Sequence, residues 1–453
     1  MTTSIARISS ARKPFSGLAL AIALATGSAV IATALMPAEA HAQRKKDKKK
    51  KDDKPDYTRE FVDAYSPVDA ALKAEGADAT ALAPQVMALV PLAVTPDDKN
   101  ALGGLMFNTG VGAQDRAMQL EGMELMLESG KVAFDRAPRF NFIAYQLANA
   151  QGDFGKARNY LQQAINLNFS SENVSSSDMQ ILMAESFFSA EQNVEGLNFL
   201  STAIESRKNQ NLDVPDNWYR RGIQIGYNNQ ITPQVYDFVL GWIADYPSAT
   251  NWKDAVNLTR NLNEFENNEI LDLFRLSRKV DALNDSADFD YYVEAADARR
   301  LPKEVKDVIE AGYASGNVSR DNSYLSEALE TANGRIASDR ADLPALEADA
   351  RKSSAQLRTV TAAASAFLSY GEYGKAAELY TKALGMPGVD TAEATMRLGI
   401  AQAGQGDFAA AKETFAKVSG NRSPIAKLWG VYAEAQSPAT EAQGASLLEL
   451  TGG

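Results

Sequence analysis

Cysteine is absent from the chain, and histidine occurs once, as His41. These two gaps exclude more than any motif does. Without cysteine there is no disulfide and no thiol nucleophile. The lone histidine sits within a segment expected to be removed, so the working body has neither residue type. A Ser-His pair, a cysteine nucleophile and a histidine base are then all ruled out. So is a zinc site of the usual kind. No metal or other cofactor is expected. No Gly-rich loop ends in Lys-Ser or Lys-Thr, and there is no dinucleotide fingerprint. Gly103-Gly104 and Gly110-Val111-Gly112 are too short for either, and read as turns or small packing positions. No long segment alternates like a half-buried strand. Beyond residue 36 no apolar run is long enough to cross a bilayer.

The one long apolar run lies at the start. Arg7, Arg12 and Lys13 precede an uncharged stretch from Phe15 to Met36, and Ala40-His41-Ala42 follows Pro37. A basic start, an apolar middle and small residues at a cleavage spacing describe a signal peptide over residues 1–42, cut near Ala42. An uncleaved N-terminal anchor is the alternative. Both readings place the body outside the cytoplasm. A large cysteine-free body in an oxidising compartment must be held by packing alone, which suits the periplasm of a Gram-negative bacterium.

Charge is divided. Residues 44–54 read RKKDKKKKDDK, net +5, while the body from Pro55 onward has 35 basic against 54 acidic residues, net −19. The acidic body argues against nucleic acid as a partner. The basic tract reads as a solvated spacer, a tail folding back on its own body, or an electrostatic contact with anionic lipid or an envelope polymer. Residues 43–58 are expected to form a disordered basic linker.

From Phe142 the chain reads FIAYQLANAQGDFGKARNYLQQAINL. Apolar residues recur at helical spacing, Gly152-Asp153 interrupts, and a second helix carries Ala157, Leu161 and Ala164 on one face. This is an αα-hairpin. The design returns with Gly371-Glu372 before Ala376, Tyr380 and Ala383, and with Gly406-Asp407 before Ala411, Phe415 and Val418. Steps of 35 to 39 residues connect these through triplets beginning at Met118, Gly196, Val235, Ile270, Val305 and Ala341. Such periodicity is the mark of stacked hairpins that bury one another.

The pattern resembles the tetratricopeptide repeat (TPR) family. Leu398, Gly399, Gly406, Ala411 and Phe415 match it, as do Ala144, Tyr145, Ala148, Gly152, Ala157, Leu161 and Ala164. Gly222 and the Tyr246-Pro247 ending match around Trp218, with Val235 in place of the usual alanine. The resemblance implies an all-α fold of αα-hairpin repeats stacked into a right-handed TPR-like solenoid. The division expected is an N-terminal helical cap over 59–112, repeats (degenerate in part) over 113–315 and a degenerate hairpin over 316–356. Two well-formed repeats over 357–420 and a capping helix and tail over 421–453 complete it.

The resemblance also implies a non-catalytic adaptor whose first helices line a groove for a peptide or protein. Spacing makes the candidate groove Arg139, Phe142, Gln146 and Asn149, then Asp178, Ile181, Glu185 and Phe188, then Asn217, Arg220, Gln224, Tyr227 and Asn228. A structural component of an envelope secretion, export or outer-membrane assembly machine is a second reading. A glycan-processing enzyme built on two carboxylates is the third. The tryptophans Trp218, Trp242, Trp252 and Trp429 fit core packing better than sugar stacking. The acidic run from Asn284 to Asp290 lacks the glycine and terminal glutamate of a calcium loop, and reads as a linker whose aspartate caps the next helix.

Overall fold

A computed structural model describes residues 54–172 and 174–437. The signal segment, the basic tract through residue 53 and the tail from 438 lie outside the described residues. Among the described residues there are twenty α-helices and no strand, only an isolated bridge between Ser171 and Val174. The chain divides into two compact units, residues 1–190 and 191–453.

The first unit holds α1 (Arg59–Lys73), α2 (Ala79–Met87), α3 (Pro96–Gly112), α4 (Arg116–Glu128), α5 (Ala137–Ala150), α6 (Phe154–Asn166) and α7 (Ser176–Ser189). Each packs on the next. The starts are written locally. Asp78, Asp115 and Asp153 cap α2, α4 and α6 with a carboxylate on an early amide, and Ser175 opens α7 with a reciprocal capping box. Helices α3 and α4 approach backbone to backbone: a Cβ added at Gly103 would lie 2.5 Å from the Gly122 carbonyl oxygen. Only glycine permits that crossing. Phe61, Val86, Leu102 and Met106 fill the core of the N-terminal cap. Of the expected 43–58 linker only residues 54–58 are described, and these are tied to the body. Asp56 and Thr58 are bonded to the start of α3, because Asp97 and Asp98 there accept their amides.

The second unit holds α8 (Asn193–Asn209), α9 (Asp216–Asn228), α10 (Thr232–Asp245), α11 (Ala249–Leu262), α12 (Asn267–Lys279), α13 (Ser286–Ala296) and α14 (Pro302–Ser315). It continues with α15 (Ser323–Arg351), α16 (Leu357–Ser369), α17 (Tyr373–Leu384), α18 (Thr391–Gly404), α19 (Phe408–Phe415) and α20 (Ser423–Ala435). Successive helices again pack as neighbours.

One turn recurs inside the hairpins. Asp153 donates its amide to the Ala148 carbonyl at 3.0 Å, with Gly152 between them at φ +77°. Glu372 bonds Phe367 across Gly371, and Asp407 bonds Gln402 across Gly406, in the same way. This six-to-one bond over a left-handed residue satisfies carbonyls at the end of the first helix. Gln114, Gln230 and Asp281 hold the same conformation without being glycine, at φ +55°, +56° and +55°.

The small-large-small triplets mostly lie on second helices with their side chains inside. Ala157, Leu161 and Ala164 on α6, Leu200 on α8, Val235 and Val239 on α10, Val305 and Ile309 on α14, and Ala376, Tyr380 and Ala383 on α17 are buried. Gly399 on α18 lies against Phe415 of α19, where an added Cβ would meet the ring at 2.6 Å. The triplet at Ala341, Ala345 and Ala348 departs from this: all three are exposed. Residues 316–356 contain no hairpin but one continuous helix of 29 residues, α15, with Pro344 inside it. Its buried residues are only Leu325, Ala332, Leu343 and Ala350, a stripe too thin to fold back on itself.

The larger departure from an open stack is closure. Helix α20 packs not only on α19 but also on α10 and α12 of the same unit. The second unit therefore returns upon itself.

Candidate protein-binding surface and the buried arginine clasp

The closure of the second unit is held by charge. Asp272, on α12, is fully buried. Its carboxylate accepts from Arg422 at 2.5 Å, from Arg275 at 3.1 Å and from Arg397 at 3.3 Å. Arg275 in turn makes a two-pronged pair with Glu304 of α14, both contacts at 2.8 Å, and Tyr292 donates its hydroxyl to the same glutamate at 2.8 Å. Arg397 also pairs with Glu393 one turn earlier on α18. The indole N–H of Trp429 donates to the Asp272 carbonyl at 2.9 Å, and Asn421 bonds both the Glu264 carbonyl and the Glu269 carboxylate at 2.9 Å. Three guanidiniums are thus matched by Asp272, Glu304 and Glu393. A buried charge in this state has its desolvation offset by partners on nearly every side.

The protonation states follow. Burial by itself would push the Glu304 carboxyl up, but the Arg275 charge, the Arg275 hydrogen bonds and the Tyr292 hydroxyl hold it below the usual glutamate range. Burial raises the Tyr292 hydroxyl well above its ordinary value, and the neighbouring Glu304 adds to that. Burial opposes the charge on Arg275, yet Glu304 and Asp272 keep it firmly protonated. Asp272 and Glu304 each satisfy arginines, so this constellation is a clasp between helices. Sequence reading passed over it. The signal was two charges three apart, Asp272 and Arg275, inside the otherwise apolar ILDLFRLS of α12.

The candidate groove residues divide by burial. In the first unit Arg139 is exposed, and Gln146, Asn149, Asp178, Ile181 and Glu185 are half-buried. Phe142 and Phe188 are buried and do not line a groove. Phe142 stacks on Phe169 with ring centroids 4.6 Å apart, because α5 turns that face toward the end of its own hairpin. Tyr145, one of the packing positions, is pushed up to about 12 by burial and then by the charge of Glu185. The nearby Arg158 guanidinium lies 4.3 Å over the Phe187 ring and donates to the Ser186 carbonyl.

In the second unit Asn217, Arg220, Gln224 and Asn228 are exposed along α9, with Tyr227 half-buried beside them. Their spacing puts them on one stripe of the helix. Arg220 is already aimed. Its Nε donates to Asp216 at 2.6 Å, and its guanidinium lies 4.9 Å over the Trp242 ring. The Trp242 indole also donates to Asp216 at 2.6 Å, so carboxylate, ring and guanidinium brace one another. Burial pushes the Asp254 carboxyl up, and the charge of Arg220 pulls it partly back. Arg220 is therefore balanced by two aspartates while its outer face remains half open to solvent. The opposite side of α9 is tightly packed: an added Cβ at Gly222 would fall 2.3 Å from the Phe238 ring. Trp218, Trp242, Trp252 and Trp429 are all core residues.

The remaining packing positions are placed as follows. Ala144, Ala148 and Ala411 are fully buried, Phe415 is buried, Leu398 is half-buried, and Gly152 and Gly406 are exposed at their turns. Asp285 caps α13 and pairs with Lys253, which also reaches Asp288 at 3.1 Å. The acidic run is thus an internal cap and ion pair. No group of three or more potential metal ligands occurs among the described residues.

No protein-family model matches the sequence, and neither does any curated protein. Among solved structures, the crystal structure of yeast Tom70 aligns over 85% of this chain and 96% of that one, at 13% identity and a TM-score of 0.18. A superposition that loose carries no argument about function. The assignment to stacked αα-hairpins rests on the turns, triplets and neighbour packing of the chain itself.

Proposed function

We propose that this protein is a non-catalytic adaptor of the cell envelope that holds an extended peptide or a protein segment. The observation that carries the reading is the α9 stripe. Amides at Asn217, Gln224 and Asn228 can bond an extended backbone. A braced Arg220 offers a fork for a ligand carboxylate, at low entropic cost because Asp216 and Trp242 already orient it. The signal-like leader and the cysteine-free composition support the envelope part of this reading. No helix among the described residues is long and apolar enough to cross a membrane.

The test is capture from envelope extract, followed by titration of the captured segment. Replacing Arg220 and Tyr227 by alanine should weaken binding by about tenfold or more, the loss of a charge-assisted fork and one aromatic contact. Melting should move little, since Arg220 and Tyr227 are not fully buried. Capture at fixed stoichiometry that ignores both changes would instead mark a structural component of a larger assembly.

A further inference from the structure

A cavity of about 410 Å³ lies where the turn between α12 and α13 meets the end of α14. The buried Phe289 and Val308 line it, with the half-buried Leu283 beside them. Its walls are held in place by local bonds. Asp281 takes the left-handed conformation at φ +55°, and the Ala282 amide then donates back to the Ser277 carbonyl at 2.8 Å. The Asn317 side chain donates to the Leu283 carbonyl at 3.3 Å, which ties this turn to the loop after α14. Gly312 lets α14 close on α13, since an added Cβ would stand 2.8 Å from the Phe289 ring. A preformed space of this size and lining suits a small molecule.

The lining carries two ionisable side chains, Arg278 near the end of α12 and Asp281 three residues on. Both are exposed, and neither side chain has a hydrogen-bond or ion-pair partner among the described residues. Opposite charges three apart on a helix ordinarily pair. Here the left-handed turn takes Asp281 off the helix. The neighbouring charges are already matched: Lys253 holds Asp285 and Asp288, and Arg275 holds Glu304. A ligand of one sign would meet a like charge in this lining, an anion at Asp281 or a cation at Arg278. A zwitterion meets each with its opposite. It also has no net charge for the acidic body, net −19 from Pro55 onward, to repel.

We infer that this cavity binds a small apolar zwitterion, a free amino acid or a dipeptide with both ends charged. Arg278 forks the carboxylate, Asp281 accepts from the ammonium, and Leu283, Phe289 and Val308 cover the apolar side chain. The site shares no residue with the α9 stripe and does not depend on that reading.

The experiment is isothermal titration calorimetry on the chain from Gln43 to Gly453, which contains every described residue, with L-leucine and with leucyl-leucine. At least one of the two should bind, and the comparison sets the length of the ligand. Acetylating its amine or amidating its carboxylate should each weaken binding by about tenfold or more, the loss of one charge-assisted contact. Arg278→Gln should cost as much, and in that variant amidation should cost nothing further. Asp281→Asn should behave likewise toward acetylation, since asparagine tolerates the left-handed backbone. Melting should stay unchanged in both, because the two side chains are exposed and unbonded among the described residues. Ala311→Trp, at an exposed position of the lining, should fill the cavity and abolish binding. No binding of either probe at millimolar concentration would overturn the inference. Equal binding of blocked and free ends would do the same, since the cavity would then accept apolar matter without reading charge. So would variants of Arg278 and Asp281 that bind like the unaltered chain.

Discussion

Asp272 is the residue on which most of the second unit converges. Removing it leaves Arg275, Arg397 and Arg422 buried with too little opposing charge. Asp272→Ala should therefore destabilise the unit by about 3–5 kcal/mol, read from the midpoint of urea unfolding. A loss below about 1 kcal/mol would show that water already serves these arginines. Gly399→Ala tests the opposite failure, excess volume. Its new methyl would run into the Phe415 ring, at a cost of about 1–3 kcal/mol. The two residues also differ in how visible they are beforehand. Gly399 stands in a repeating pattern with Gly406 and Ala411. Asp272 finds two of its partners 125 and 150 positions away, and no local spacing announces that.

The repeated turn makes a prediction at the level of the element. Gly152→Ala places a side chain at φ +77° and should cost about 1 kcal/mol, whereas Gln230→Gly relieves the same conformation and should gain up to about 1 kcal/mol. Thermal unfolding of the two variants should move in opposite directions. Helix α20 makes another. Trp429→Ala removes a buried indole and its bond to α12, at a cost of about 3–5 kcal/mol. Hydrogen exchange should then rise in α12, which sits far from residue 429 in sequence. Exchange confined to α19 and α20 would contradict the closure. The α15 helix shows where pattern reading failed. The step that reached Ala341 was arithmetically regular, but exposed alanines at that spacing carry no apolar face to bury.

For the molecule as a whole, acid is the revealing variable. Glu304 titrates lower in the folded protein than in the unfolded chain, so its contribution is complete above the ordinary glutamate range. It is lost as pH falls through the lowered folded value. Stability of the second unit should therefore fall as the pH drops below the ordinary glutamate range, and Glu304→Gln should flatten that part of the curve. Parallel acid sensitivity in both proteins would assign the effect to other carboxylates. The first unit has no equivalent arginine cluster among its described residues, and its unfolding should respond less steeply to acid.

The sequence alone determined that the chain is helical, that it is built of hairpins with glycine or left-handed turns, and that small residues face inward on second helices. Those properties are local: a cap, a turn and a 3.6-residue period all lie within one hairpin. It also marked the α9 stripe, because amides and an arginine at helical spacing need no distant partner to be noticed. Only the tertiary structure decided that the second unit closes on itself, that Phe142 and Phe188 are inside, and that Asp272 binds three arginines. Each of these depends on which surfaces meet after stacking. That is set by the summed angles of many helix pairs and by charges that find each other only when the chain comes back around.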